Sequence, residues 1–101
     1  MAKTQVKQPR MPKKVKDKWI KALLSGEYEQ AQGWMKTVDG KHCCLGVLRE
    51  CAKTGGVNVW YLMSDELKVV GLTHEIQRGL SSMNDASVPF PVIAGFIKET
   101  L

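Results

Sequence analysis

What this chain has little of narrows the field first. Cysteine is scarce and odd in number: Cys43, Cys44 and Cys51, two of them adjacent. Adjacent cysteines seldom bridge each other, so the set reads as reduced thiols in a cytoplasm, not as a disulfide framework. Long apolar runs are missing too. The first apolar cluster, Trp19 to Leu24, is interrupted by Lys21 and is too short for a signal h-region or a membrane span. The glycines, among them Gly33, Gly40, Gly46, Gly55 and Gly56, match neither nucleotide-binding fingerprint.

Acidic residues are nearly absent from one end. Residues 1–24 hold Lys3, Lys7, Arg10, Lys13, Lys14, Lys16, Lys18 and Lys21 against the single acid Asp17, a surplus of +7 in a chain whose net charge is +5. The remaining 77 residues are therefore slightly acidic. A cationic segment of this kind favours nucleic acid, nucleotide phosphates or an acidic protein surface, or simply keeps the chain soluble.

What is present is ordinary for a globular protein: 101 residues, 44% hydrophobic and 25% charged, enough for one thin core. Residues 1–12 carry Pro9 and Pro12 without apolar periodicity and read as a flexible basic tail, leaving 13–101 as a single α+β domain. Val15, Trp19, Ala22 and Leu23 share one helical face, which predicts a helix over 13–25 stopped by Gly26. Asp39-Gly40 between short extended runs is a strong hairpin signal, predicting strands at 34–38 and 41–43. Cys44, Val47, Leu48, Cys51 and Ala52 return to helical spacing, with Thr54-Gly55-Gly56 as the stop. Val57 to Leu62, rich in β-branched and aromatic residues, predicts a third strand. Ser64-Asp65 opens a short helical turn to Val70. Thr73 caps a helix facing inward with Ile76, Leu80 and Met83, and Asn84-Asp85 ends it. Pro89 starts a final helix whose inner face is Phe90, Ile93, Ala94, Ile97 and Leu101. The expected fold is α+β: a small antiparallel sheet, hairpin plus one strand, covered by about four helices.

The search for chemistry yields no catalytic set. His42-Cys43-Cys44 with Cys51 lacks the paired short spacings of a zinc site, and a strand-to-helix change between Cys43 and Cys44 would send their side chains apart. His42 and Cys43, as strand neighbours, would face opposite ways, which argues against a thiol–imidazole pair. No metal, no cofactor and no enzymatic activity are expected. The stretch from Pro91 to Glu99 offers no Arg, Asn or Gln to read base edges, so contact with nucleic acid would be electrostatic and non-specific. Trp19, Trp34, Trp60, Tyr28 and Tyr61 could stack on bases, though aromatics usually pack in cores. Gly46 and Gly79 lie inside predicted helices, where each costs about 1 kcal/mol relative to alanine. Close packing is the expected reason for both.

Three stretches together carry a resemblance: Lys18 to Gln30, with Trp19, Ala22, Leu23, Ser25, Gly26 and Tyr28; Asp39 to Leu48, with Cys43-Cys44-Leu45-Gly46-Val47-Leu48; and Met83-Asn84-Asp85 followed by Phe90, Ile93, Ala94 and Ile97. They resemble a family of small proteins encoded by bacteriophages and prophages, although this chain departs from it in Pro89 and in its basic leader. The resemblance implies a cytoplasmic accessory protein in an infected bacterial host. Several unrelated proteins of that kind sequester nucleotide signals of bacterial immunity. Such a sponge needs a cationic or amide-rich pocket with aromatic walls, often at a subunit interface of a homo-oligomer. The expected ligand-binding residues are Lys18, Lys21, Lys41 and Arg49 for phosphate, Tyr28 and Trp34 for stacking, and Gln32, Asn84 and Asp85 for hydrogen bonds to base or ribose. Lys36 is a further phosphate candidate. Asn84 and Asp85 also read simply as a helix stop and cap. The alternative expectation is an adaptor that binds a host protein or nucleic acid through the basic N-terminal segment.

Overall fold

In the computed structural model, which describes residues 11–54 and 56–101, five helices account for the regular structure: α1 Lys13–Leu24, α2 Cys44–Ala52, α3 Ser64–Val70, α4 His74–Asp85 and α5 Phe90–Thr100. α1 lies against α5 and α2, α2 against α4, and α4 against α5. The predicted flexible tail falls mostly outside the described residues. Its end does not: Met11 is buried in the core.

α2 is the central element. Every residue from Cys44 to Leu48 is buried, because α1 covers one side and α4 the other. Trp19 and Leu23 of α1, Leu80 of α4, and Ile93, Ala94 and Ile97 of α5 close the core around it. Fully burying a side chain of leucine or isoleucine size contributes roughly 1.5–3 kcal/mol. Trp19, the largest of these residues, also avoids an unpaired indole: its Nε1–H donates to the Cys44 carbonyl oxygen at 2.9 Å. α3 ends at Gly71, whose φ of 76° is the left-handed conformation that glycine takes without strain.

No strand forms among the described residues, which overturns the α+β expectation: the fold is helical. The Asp39-Gly40 turn is real, with the Thr37 N–H donating to Lys41 O at 2.8 Å and the Gly40 N–H to Thr37 O at 3.0 Å. The ladder stops one residue later. His42 donates its N–H to Glu29 O and accepts from the Ala31 N–H, so its backbone is spent on a different segment. Cys43 then caps α2. Only isolated bridges remain, Lys36 to His42 and Gln30 to His42. The predicted strand at 57–62 fails for a second reason. The Asn58 side chain accepts the N–H groups of both Trp60 and Tyr61, at 2.8 and 3.1 Å, and bends the chain where a strand would have to stay extended.

Candidate ligand-binding pocket

The bend at Asn58 displays two aromatic rings, and the surrounding structure holds it in place at three points. The Met35 N–H donates to Val59 O at 3.0 Å. The Arg49 Nη1–H donates to Asn58 O at 2.7 Å. The buried Gln77 amide clasps Leu62, accepting from its N–H and donating to its carbonyl. Between these anchors Trp60 and Tyr61 stay about half exposed. Trp34 stacks on Trp60 with ring centroids 4.2 Å apart and planes 32° from parallel.

The opposite wall is α4. His74, Gln77, Arg78 and Ser81 recur at helical spacing and share one side of it. With Trp60 and Tyr61 they line a solvent-open pocket of about 620 Å³, a volume in the range of small-ligand sites. His74 Nε2 lies 3.4 Å from Ser64 Oγ. Arg78 is exposed and, among the described residues, forms no ion pair. The pocket therefore offers aromatic faces, a guanidinium fork without an ionic partner among the described residues, and imidazole and hydroxyl groups, which together suit a planar ring bearing an anionic group.

The residues expected from sequence are distributed differently. Lys18, Lys21 and Tyr28 do come together, in a notch of about 370 Å³ beside α1, but Glu27 and Glu50 share its wall and offset the lysines. Burial raises the Tyr28 hydroxyl pKa above its ordinary value, with nearby acids adding to the effect. Trp34 reaches the pocket only through Trp60. Gln32 is exposed on the loop after Ala31. Lys41 lies 3.9 Å from Asp39 at the turn. Arg49 is taken up by Glu66, with Nε–H to Oε2 at 2.8 Å and Nη2–H to Oε1 at 2.6 Å, while the Thr54 hydroxyl donates to the same carboxylate.

Asn84 and Asp85 hold the fold together. Asn84 is fully buried. Its Oδ1 accepts from the Cys44 N–H at 3.0 Å and from Gln30 Nε2 at 3.1 Å, and its Nδ2 donates to Ala31 O at 2.6 Å. Asp85 Oδ1 accepts the Gly33 N–H at 2.9 Å. The dipeptide thus ties the end of α4 to the 30–33 loop and to the first residue of α2.

The cysteines separate. The Cys44 thiol sits on Leu80 O at 3.6 Å and the Cys51 thiol on Lys18 O at 3.8 Å, facing α4 and α1 respectively. Burial is the main cause that raises all three thiol pKa values. His42 is buried with both ring nitrogens unpartnered among the described residues. The Tyr28 ring meets it edge-on and the Glu50 carboxylate lies 3.6 Å from Nε2.

Sequence reasoning named Trp60 and Tyr61 as stacking candidates but did not single out Arg78 or place His74 with them. The i, i+4 spacing of His74 and Arg78 on the polar side of α4 was the available signal. It could not be read as a site without knowing that the 57–62 segment bends back over it.

Fold and pocket together define a small helical protein with an aromatic-walled, cation-bearing cleft. A family model described as a domain of unknown function, DUF8296, matches residues 11–61, and the chain belongs to that family. The matched stretch covers α1, α2 and the aromatic bend and stops before α4. No curated protein and no solved structure matches the chain. Among the described residues, no helix is long and apolar enough to cross a membrane.

Proposed function

We propose that this protein is a non-enzymatic accessory protein of bacteriophage type that captures an anionic nucleotide-like ligand, such as an immune signalling nucleotide, as a homo-oligomer. The observation that carries the reading is the pocket between the 57–62 bend and α4, lined by Trp60, Tyr61 and Arg78, which forms no ion pair among the described residues. A base would stack on the rings while the guanidinium takes a phosphate oxygen, and His74 and Ser81 supply hydrogen bonds. The exposed Val57, Val59 and Met63 near the pocket favour self-association. The phage context rests on the motifs around Cys43-Cys44 and Met83-Asn84-Asp85. A binding role is further supported by thiols that burial keeps protonated, because a nucleophilic cysteine works as the thiolate.

Native mass spectrometry of the full chain with a panel of linear and cyclic nucleotides tests this directly. The expected result is a defined oligomer retaining intact nucleotide, with Arg78→Ala weakening binding at least about tenfold. A folded protein that ignores every nucleotide overturns the reading and favours an adaptor acting through the basic N-terminal segment. Deletion of residues 1–10, which spares the buried Met11, then separates the two, since only an arm-driven partner would be lost with it.

A further inference from the structure

A separate surface lies between α1 and the C-terminal end of α5. α1 carries more apolar residues than the core uses. Trp19 and Leu23 point inward and are buried, while Ile20 is half-buried and Leu24 is 57% exposed. Ile20 and Leu24, one helical turn apart, form with Leu101 the apolar floor of an open groove of about 910 Å³ between α1 and the C-terminal end of α5. The rim is cationic. Lys16 and Lys21 stand on α1 and Lys98 on α5. The one acid in the wall, Asp17, is already paired with Lys13 at 2.8 Å.

We propose that this groove docks an acidic amphipathic helix of another protein. An apolar floor flanked by lysines matches a helix with an apolar stripe flanked by carboxylates. α1 is 12 residues long, about 18 Å, which matches about three turns of a partner presenting apolar side chains at i, i+3 or i+4, and i+7. The lysines, compact charges on flexible stems, follow carboxylates along such a helix without a fixed fork geometry.

Other occupants fit less well. Pairing two copies of the chain through this face would set lysine against lysine across a two-fold axis. Nucleic acid would leave Ile20 and Leu24 without apolar partners, and among the described residues the groove has neither an aromatic ring for stacking nor an arginine for base edges. A bilayer surface suits a protruding apolar helix face better than a concave floor.

The test uses the full chain and a fluorescently labelled synthetic peptide with leucine at i, i+3, i+4 and i+7 and glutamate at the positions flanking that stripe, followed by anisotropy. Controls are a scrambled peptide of the same composition, phosphatidylglycerol vesicles and a short DNA duplex. The amphipathic peptide is expected to bind, weaken as salt rises, and lose at least about tenfold in affinity to Leu24→Glu and to Lys98→Glu. Both positions are exposed, so circular dichroism should show an unchanged fold. Trp60→Ala should leave peptide binding intact, which keeps this result separate from the nucleotide reading. Absence of binding, equal binding of the scrambled peptide, preference for vesicles or duplex, or an oligomer that buries the groove would each overturn the proposal.

Discussion

Asn84 on α4 accepts the backbone N–H of Cys44, the first residue of α2, at 3.0 Å, although forty positions separate them in the chain. The same amide donates to Ala31 O and accepts from Gln30, so one fully buried side chain joins three segments. Replacing it with leucine would leave the Cys44 N–H and the Ala31 carbonyl buried and unpaired. Asn84→Leu is expected to cost about 2–4 kcal/mol, since each such orphaned group costs about 1–3 kcal/mol. Asn84→Asp keeps the acceptor and loses the donor, so it should also destabilise. Urea unfolding followed by tryptophan fluorescence measures both.

Two of the helical glycines, Gly46 and Gly79, predict opposite signs. A Cβ at Gly46 would overlap the Met35 backbone carbonyl, which cannot move away as a flexible side chain can, whereas a Cβ at Gly79 meets nothing within 4 Å. Gly46→Ala is therefore expected to destabilise by about 1–3 kcal/mol or more through overpacking. Gly79→Ala should stabilise by about 0.5–1 kcal/mol through helix propensity. Thermal melts of the two variants give the comparison. A destabilising Gly79→Ala would mean that this glycine serves something beyond the helix.

The Arg49–Glu66 pair sets an acid limit on stability. Burial works against the Glu66 carboxylate, but the hydrogen bonds from Arg49 and Thr54 outweigh it and hold its pKa below the ordinary 4.5. The contribution is therefore complete above that unfolded value and is lost as pH falls through the lower folded one. Arg49→Met is expected to cost about 3 kcal/mol near neutral pH, where it strands a buried charge. The gap between variant and parent should narrow as pH falls below the ordinary 4.5 and through the lower folded value, where the carboxyl becomes protonated. Denaturant midpoints across that range decide it. A gap independent of pH would show that Arg49 acts through packing and its bond to Asn58 O alone.

Thiol reactivity should follow burial. Cys43 and Cys44 are buried and Cys51 is half-buried, and burial raises all three thiol pKa values. Alkylation of the native protein near neutral pH is expected to be slow and to reach Cys51 first, with Cys43 and Cys44 labelled only on unfolding. Peptide mass mapping after a timed pulse of reagent resolves the order. Rapid labelling of Cys43 in the folded protein would contradict this environment.

The helices were legible because their information is local. Trp19 with Leu23, Cys44 with Val47 and Leu48, and Ile93 with Ile97 repeat at the period of a helix, and Thr73 and Gly71 mark ends in the expected way. The sheet was misread for the same reason. Asp39-Gly40 specifies a turn, and Val57 to Leu62 has the composition of a strand, but neither says where the adjoining backbone groups will find partners. His42 gives its N–H and carbonyl to the 29–31 segment, and Asn58 folds the next stretch back on itself.

The candidate site divides along the same line. Lys18, Lys21 and Tyr28 lie close in sequence, and they converge in space. Arg49 and Asn84 looked like ligand groups because their types can bind phosphate and base, yet each meets its partner inside the protein. Local spacing and capping chemistry determine where this chain is helical and which faces turn inward, since those depend on residues within a few turns of one another. Tertiary structure alone decided that Trp60 and Tyr61 share a pocket with Arg78, that Gly46 sits against Met35, and that no sheet forms among the described residues. Each of those outcomes depends on which distant segment supplies the hydrogen-bond partner or the wall, a competition that no short stretch of sequence contains.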